Sequence, residues 1–379
     1  MVPSVRPRPG AKGAVGIRRH YRAGRLPSRI FATPQPQDQQ RKPRSSLCGC
    51  RSQGGRGRIN EWTPDGCGGW DGGRPKGSAL SDDAVQVDVP VVRRLIAAQF
   101  PGWAGLPIVP VATQGVDNVT FRLGDDMSVR LPRFARWEGQ VAREQRWLPR
   151  LAPHLPLPVP VPLAQGEPSA EYPFPWSVYR WLDGERASLD RVADPRRAAV
   201  ELAEFLLALR RVDAAGGPEP EWSNGFRGVP VDDDRDSAVH ATRMRARIAA
   251  LDGLVDTAAV TAVWEAALAA PPWDGPPVWI HGDPAPGNLL VRDGRLAAVI
   301  DFGTMAVGDP ACDLIAAWAF LDADTRPVFR ETLGVDDATW ARGRAWGLTA
   351  VLPSPDELEG ESARAAEARS RLGGLVADR

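Results

Sequence analysis

The sequence predicts an α+β fold of two lobes, a small N-terminal lobe built on an antiparallel sheet and a larger, mainly helical C-terminal lobe. Three observations predict it. Two alternating segments, "NVTFRL" (118–123) and "MSVRLP" (127–132), flank the turn "GDD", which is a hairpin signal. After Asp194-Pro195 the apolar residues recur at three- and four-residue spacing, as in "RRAAVELAEFLLALRRV", the period of an amphipathic helix. Inside that helical half, two short apolar stretches, "NLLV" and "LAAVI", flank "RDGR" and bracket an unusual run of polar residues.

Size and charge frame the elements. A chain of 379 residues exceeds the usual single-domain length, and 43% hydrophobic residues supply a sizeable core. No run of 18 apolar residues occurs, so no membrane-spanning helix is expected. The formal net charge of zero conceals a division: residues 1–80 hold 16 basic and 4 acidic residues, leaving 31 and 43 in 81–379. The first 80 residues are rich in Arg, Gly, Pro and Ser without helical or strand period. Such material buries too little apolar surface to offset its chain entropy. A disordered basic extension is therefore expected over 1–80, and a nucleic-acid contact only through that tail by counterion release. Cys48, Cys50 and Cys67 lack the spacing of a zinc knuckle, and sparse cysteine suits a reducing cytoplasm.

The elements follow in order. "VPVVRRLIAAQF" (89–100) reads as a helix stopped by Pro101-Gly102, the hairpin 118–132 comes next, and "EGQVAREQRWLPRLAPHL" (138–155) is a second helix. A Pro-rich connection leads to the strand "FPWSVYRWL" (174–182), closed by "DGE". The lobes divide near Asp183-Gly184, giving 85–183 as the small sheet-containing lobe and 184–379 as the larger helical lobe. Helices are expected over 196–212, 235–253 and 257–270, the two short strands at 288–291 and 296–300, and four further helical segments over 310–378.

The chemistry concentrates in "HGDPAPGNLLV" (281–291) and "VIDFGTMAVGDPACDL" (299–314). Asp283, Asn288 five residues later, and Asp301 of Asp-Phe-Gly are oxygen donors whose spacing folding alone does not require. Phosphoryl transfer needs divalent ions on the phosphates, an acceptor hydroxyl in line and charge compensation, with little covalent work from protein. Hard cations take oxygen ligands. In kinases a catalytic-loop Asp meets the hydroxyl, an Asn five positions on holds one metal, and the Asp of Asp-Phe-Gly holds another.

With those motifs, and the weaker "VRLPR" and "WSVYRWLDGE", the chain over about 85–379 resembles the aminoglycoside phosphotransferase family of kinase-like enzymes. The resemblance implies a protein-kinase-like two-lobe fold, ATP or GTP as co-substrate, Mg2+, and a small hydroxylated acceptor such as an aminoglycoside antibiotic. It implies Asp283 as the catalytic base, Asn288 and Asp301 as magnesium ligands, and structural support from His281 and from the buried Asp313, with Asp309 as a helix cap. For the nucleotide it implies Gly115 in the loop between strands, Arg130 where a phosphate-gripping Lys would stand, Glu144 as its partner, and backbone groups around Tyr179 to Trp181 for the base. No G-x-G-x-x-G run is present.

Only "TMAV" separates "DFG" from "GDP", and Gly282 stands where a protein kinase has Arg. No room is left for a long activation segment, which favours a small acceptor over a protein. The acids Asp232, Asp233, Asp234 and Asp236 either attract a polycation or form a solvated loop and cap. Trp222 and Trp273, in Pro/Gly-rich segments, are candidates to line a pocket, while Trp137, Trp147, Trp318, Trp340 and Trp346 have helical core spacing. The alternative to an enzyme is a catalytically silent kinase fold that binds nucleotide or ligand.

Overall fold

The computed structural model describes residues 84–378 apart from 113, 116, 234, 236, 237 and 361. The expectation for residues 1–80, and the part of the acidic run formed by Asp234 and Asp236, lie outside the described residues. In chain order the helices and strands are α1 (Val89–Gln99), β1 (Ile108–Pro110), β2 (Asn118–Leu123), β3 (Met127–Pro132), α2 (Glu138–Leu151), β4 (Pro162–Gly166), β5 (Trp176–Arg180), β6 (Glu185–Arg186), α3 (Pro195–Arg210), α4 (Ala241–Ala249), α5 (Thr257–Ala269), β7 (Val278–Ile280), β8 (Leu289–Arg292), β9 (Arg295–Val299), β10 (Ala306–Gly308), α6 (Ala316–Ala319), α7 (Arg326–Leu333), α8 (Asp337–Val351) and α9 (Ala363–Ala377).

The first five strands form one antiparallel sheet in the order β1-β2-β3-β5-β4. Strand periodicity of two sends Met127, Val129 and Leu131 into a core with α1 residues Val92, Leu95 and Ile96. The alternate residues Ser128 and Arg130 turn to the opposite face, where Arg130 stands across from Thr120 on β2 and Ser177 on β5. Asp88 starts α1 by accepting from the Val91 N–H at 2.9 Å, with Pro90 preset for the first turn. Beyond β5 the chain is helical, with β8 and β9 as a hairpin joined by β6, and β7 paired to β10.

Two expectations shift. The helix expected over 235–253 begins only at Ala241, because Asp232 accepts from the Ala241 N–H at 3.0 Å while Asp233 accepts from the Arg235 N–H and its guanidinium. These side-chain bonds offer the backbone a turn in place of a helix. The helix from Glu138 ends at Leu151, two residues past Pro149, and a single 3-10 turn follows.

The lobes share a core. Trp147, Leu148 and Leu151 of α2, with Tyr179 of β5, pack in the same apolar cluster as the C-terminal helices. The Trp147 and Trp279 rings meet edge-on at 4.9 Å. The packing runs across residue 183 without a break. Among the described residues no helix is long and apolar enough to cross a membrane.

Candidate active site

The loop from β7 to β8 is shaped by glycine and by buried bonds. Gly282 has φ +87°, and a Cβ there would lie 2.6 Å from the Thr304 carbonyl oxygen, so only glycine fits. Asp313, fully buried, accepts from the N–H groups of Gly282 at 2.7 Å and His281 at 3.2 Å. Burial pushes the Asp313 carboxyl up against the opposing pull of Arg210 and of these donors. His281 is also buried; its Nε2 bonds the Ile300 carbonyl at 3.0 Å, and its Nδ1 accepts from the Asp283 N–H at 3.2 Å. That network places the ring proton on Nε2. The ring stacks edge-on against Phe302 at 4.6 Å.

Asp283 and Asn288 are brought together. The Asn288 amide donates to the Asp283 carbonyl at 2.8 Å and to Oδ2 at 3.0 Å. The Asn288 carbonyl in turn accepts from the Ile300 N–H at 2.8 Å, which sets Asp301 beside the loop. Asp301 adopts φ +64° and ψ 68°, a left-handed conformation uncommon outside glycine. Its carboxylate pairs with Arg130. Burial opposes ionisation there, but the Arg130 charge and hydrogen bond, helped by the Gly303 N–H, hold the carboxyl below its ordinary value.

Arg130 is the hub of the other wall. Its Nη1 lies 3.1 Å from Glu144 of α2, and Asn118, with its amide oxygen turned to Arg130, accepts from Nη2 at 2.8 Å. Burial raises the Glu144 carboxyl despite Arg130, and the Tyr179 hydroxyl donates to it. Gly115, Asn118, Arg130, Tyr179, Trp181, Asn288 and Asp301 line one cleft of about 700 Å³, with Glu144 buried behind Arg130. The Arg180 N–H is committed to Val161 and the Trp181 N–H to Asp126, at 2.9 and 2.8 Å. Those two donors are therefore closed to a base, and the Tyr179 hydroxyl is taken by Glu144 of α2.

Sequence reasoning missed Asn118, Asp117, Gln140 and Arg143. Asp117, next to the cleft, is pushed up to about 6 by burial and by the charges of Asp301 and Asp283, against Arg136 and Arg130. Trp222 is 39% exposed, and the Arg136 guanidinium lies 5.1 Å from its ring and 4.1 Å from that of Trp137. Of the acidic run, the described Asp232 and Asp233 are occupied by the backbone and by Arg235.

Magnesium fits the donor set. The Asp301 carboxylate and the Asn288 side-chain Oδ1 are hard ligands at one cleft, and among the described residues no three His, Cys, Asp or Glu side chains group to hold a metal unaided. Hard oxygen donors of this kind suit magnesium, which commonly fills its remaining positions with phosphate oxygens and water.

Known proteins show the same architecture. The GDP complex of wild-type aminoglycoside 2'-phosphotransferase-IIIa has a TM-score of 0.56 at 19% identity, covering 77% of this chain and 99% of that one. The GDP and kanamycin complex of APH(2")-IIia has a TM-score of 0.54 at 21% identity, covering 75% and 96%. These likenesses are of fold, the kinase-like two-lobe fold that the sequence predicts. No curated protein matches the chain at a significant level. Residues 108–346 match the phosphotransferase enzyme family, APH, over more than half of the sequence, and the chain belongs to that family.

Proposed function

We propose that the protein transfers the γ-phosphoryl group of ATP or GTP to a hydroxyl of a small molecule. The observation that carries this is the convergence of Asp283, Asn288, Asp301 and Arg130, with Asn288 3.0 Å from Asp283 and Arg130 paired to Asp301. Asn288 fixes the Asp283 carboxylate through Oδ2. Oδ1 then receives the acceptor proton as the new O–P bond forms and the β–γ bridging P–O bond breaks, releasing the nucleoside diphosphate. Arg130, with Nη2 on Asp301 and Asn118, offers the phosphates its fixed positive charge and the second Nη1 hydrogen, and Glu144, itself bonded by Tyr179, keeps the guanidinium in place. When bound at Asn288 and Asp301, magnesium supplies charge neutralisation for the phosphate oxygens.

GDP in the structural neighbours supports a purine nucleotide in the cleft, and kanamycin in one of them makes aminoglycosides the first acceptors to try. The occupied Asp232 and Asp233 leave the acceptor open to other polyhydroxylated molecules. Release of ADP or GDP, with and without magnesium, across aminoglycosides, macrolides and polyols tests the proposal. Acceptor- and magnesium-dependent release supports it; nucleotide binding without turnover over the whole panel supports a silent binding protein instead.

A further inference from the structure

Helix α2 buries three polar side chains on one face, Gln140, Arg143 and Glu144, at 3%, 7% and 2% exposure. Glu144 serves Arg130. Arg143 touches none of the groups assigned to the reaction, yet burying a guanidinium is costly unless it is fully bonded. Its Nη1 donates to the Gly303 carbonyl at 2.6 Å, and its Nη2 bonds the Glu221 carboxylate and the Ser223 hydroxyl, the latter at 2.5 Å. The packing is close: a Cβ on Gly303 would lie 2.5 Å from the Gln140 amide carbon.

The segment that Arg143 reaches is itself tied down by hydrogen bonds. The Glu221 N–H donates to Asn224 Oδ1 at 2.9 Å, and the fully buried Asn224 donates to the Thr304 carbonyl at 3.4 Å. Two successive carbonyls, Gly303 and Thr304, are thus held by side chains from different segments, and Arg143 joins those segments. Two residues before Gly303 stands Asp301 at φ +64°. A residue in that region persists only where its surroundings over-determine it.

We infer that Arg143 is a positioning residue. It holds the 301–304 turn in the form that directs the Asp301 carboxylate into the cleft, and it moves that turn and the 221–224 turn as one body with α2. The kinetic consequence rests on the proposed phosphotransfer; the structural one does not.

Hydrogen exchange of the ligand-free protein tests the structural part, using Arg143→Lys and the double variant Glu221→Gln/Ser223→Ala, which cuts the same link from its exposed side. Amides of 302–305 and 221–225 should exchange about 10-fold faster or more in both variants, with α5 and α8 unchanged. Unchanged rates at the two turns, whatever happens to Tm, overturn the inference. With nucleotide, magnesium and acceptor, a displacement of about 1 Å costs on the order of 100-fold, so kcat should fall 10- to 100-fold with a smaller change in KM, roughly in step with turn loosening. Loosened turns with wild-type kcat also overturn it. A wild-type protein without turnover defeats the proposed function, while the exchange result still decides the role of Arg143.

Discussion

At the scale of single residues, two carboxyls lend themselves to direct measurement. Asp283 is held by Asn288 at 3.0 Å, so Asp283→Asn preserves shape and removes the proton acceptor. Turnover should fall about 100- to 10,000-fold, with Tm and nucleotide affinity near wild type; product release and calorimetry check both. Asp117 titrates near 6 instead of its ordinary 3.8. Between those values the folded protein retains a proton that the unfolded chain has released. The stabilising share is therefore complete below about pH 4 and lost as pH rises through about 6. In metal-free buffer, Asp117→Asn should gain stability relative to wild type over that rise, as read from urea midpoints at several pH values. Neither Asp117 nor Arg143 was legible in the sequence. A buried polar residue on a helix or loop spells the same pattern as a solvated one, and the bond from Arg143 to Gly303 spans 160 positions.

At the scale of elements, legibility followed local determinism. The hairpin of β2 and β3 matches its sequence limits because alternation and the turn agree. Strands β1, β7 and β10 have three residues each, too few for a period to register, and pairing defines them, β1 with the next strand β2 and β7 with β10 across 26 or more positions. The loop between β7 and β8 showed its chemistry through fixed spacing, Asp283 to Asn288, but not the backbone that makes the spacing work. At Gly282, φ +87° and the 2.6 Å approach to Thr304 predict that Gly282→Ala costs at least about 2 kcal/mol. Denaturant titration measures that loss, and turnover under conditions where the variant remains folded should also fall, since the strain falls next to Asp283.

At the scale of the whole molecule, α2 belongs to both lobes, with Glu144 behind the cleft on Arg130, Arg143 on the Gly303 carbonyl and Trp147 in the C-terminal core. Trp147→Ala should cost about 3–5 kcal/mol. Unfolding should nonetheless remain one transition by fluorescence and by circular dichroism, since the shared cluster couples the lobes; two separated transitions would contradict a common core. Immediately after the Asp301 turn, Ala306 is zipped to Ile280 in the β10–β7 pair, and Asp309 is pinned by Arg342 at 2.9 Å. Signalling enzymes keep slack chain at this position, on which a second enzyme writes an on or off mark. Here that slack is taken up into a strand, so the Asp301 turn is moored on both sides, by the Ile300 N–H on the Asn288 backbone carbonyl and by Ala306 on β7.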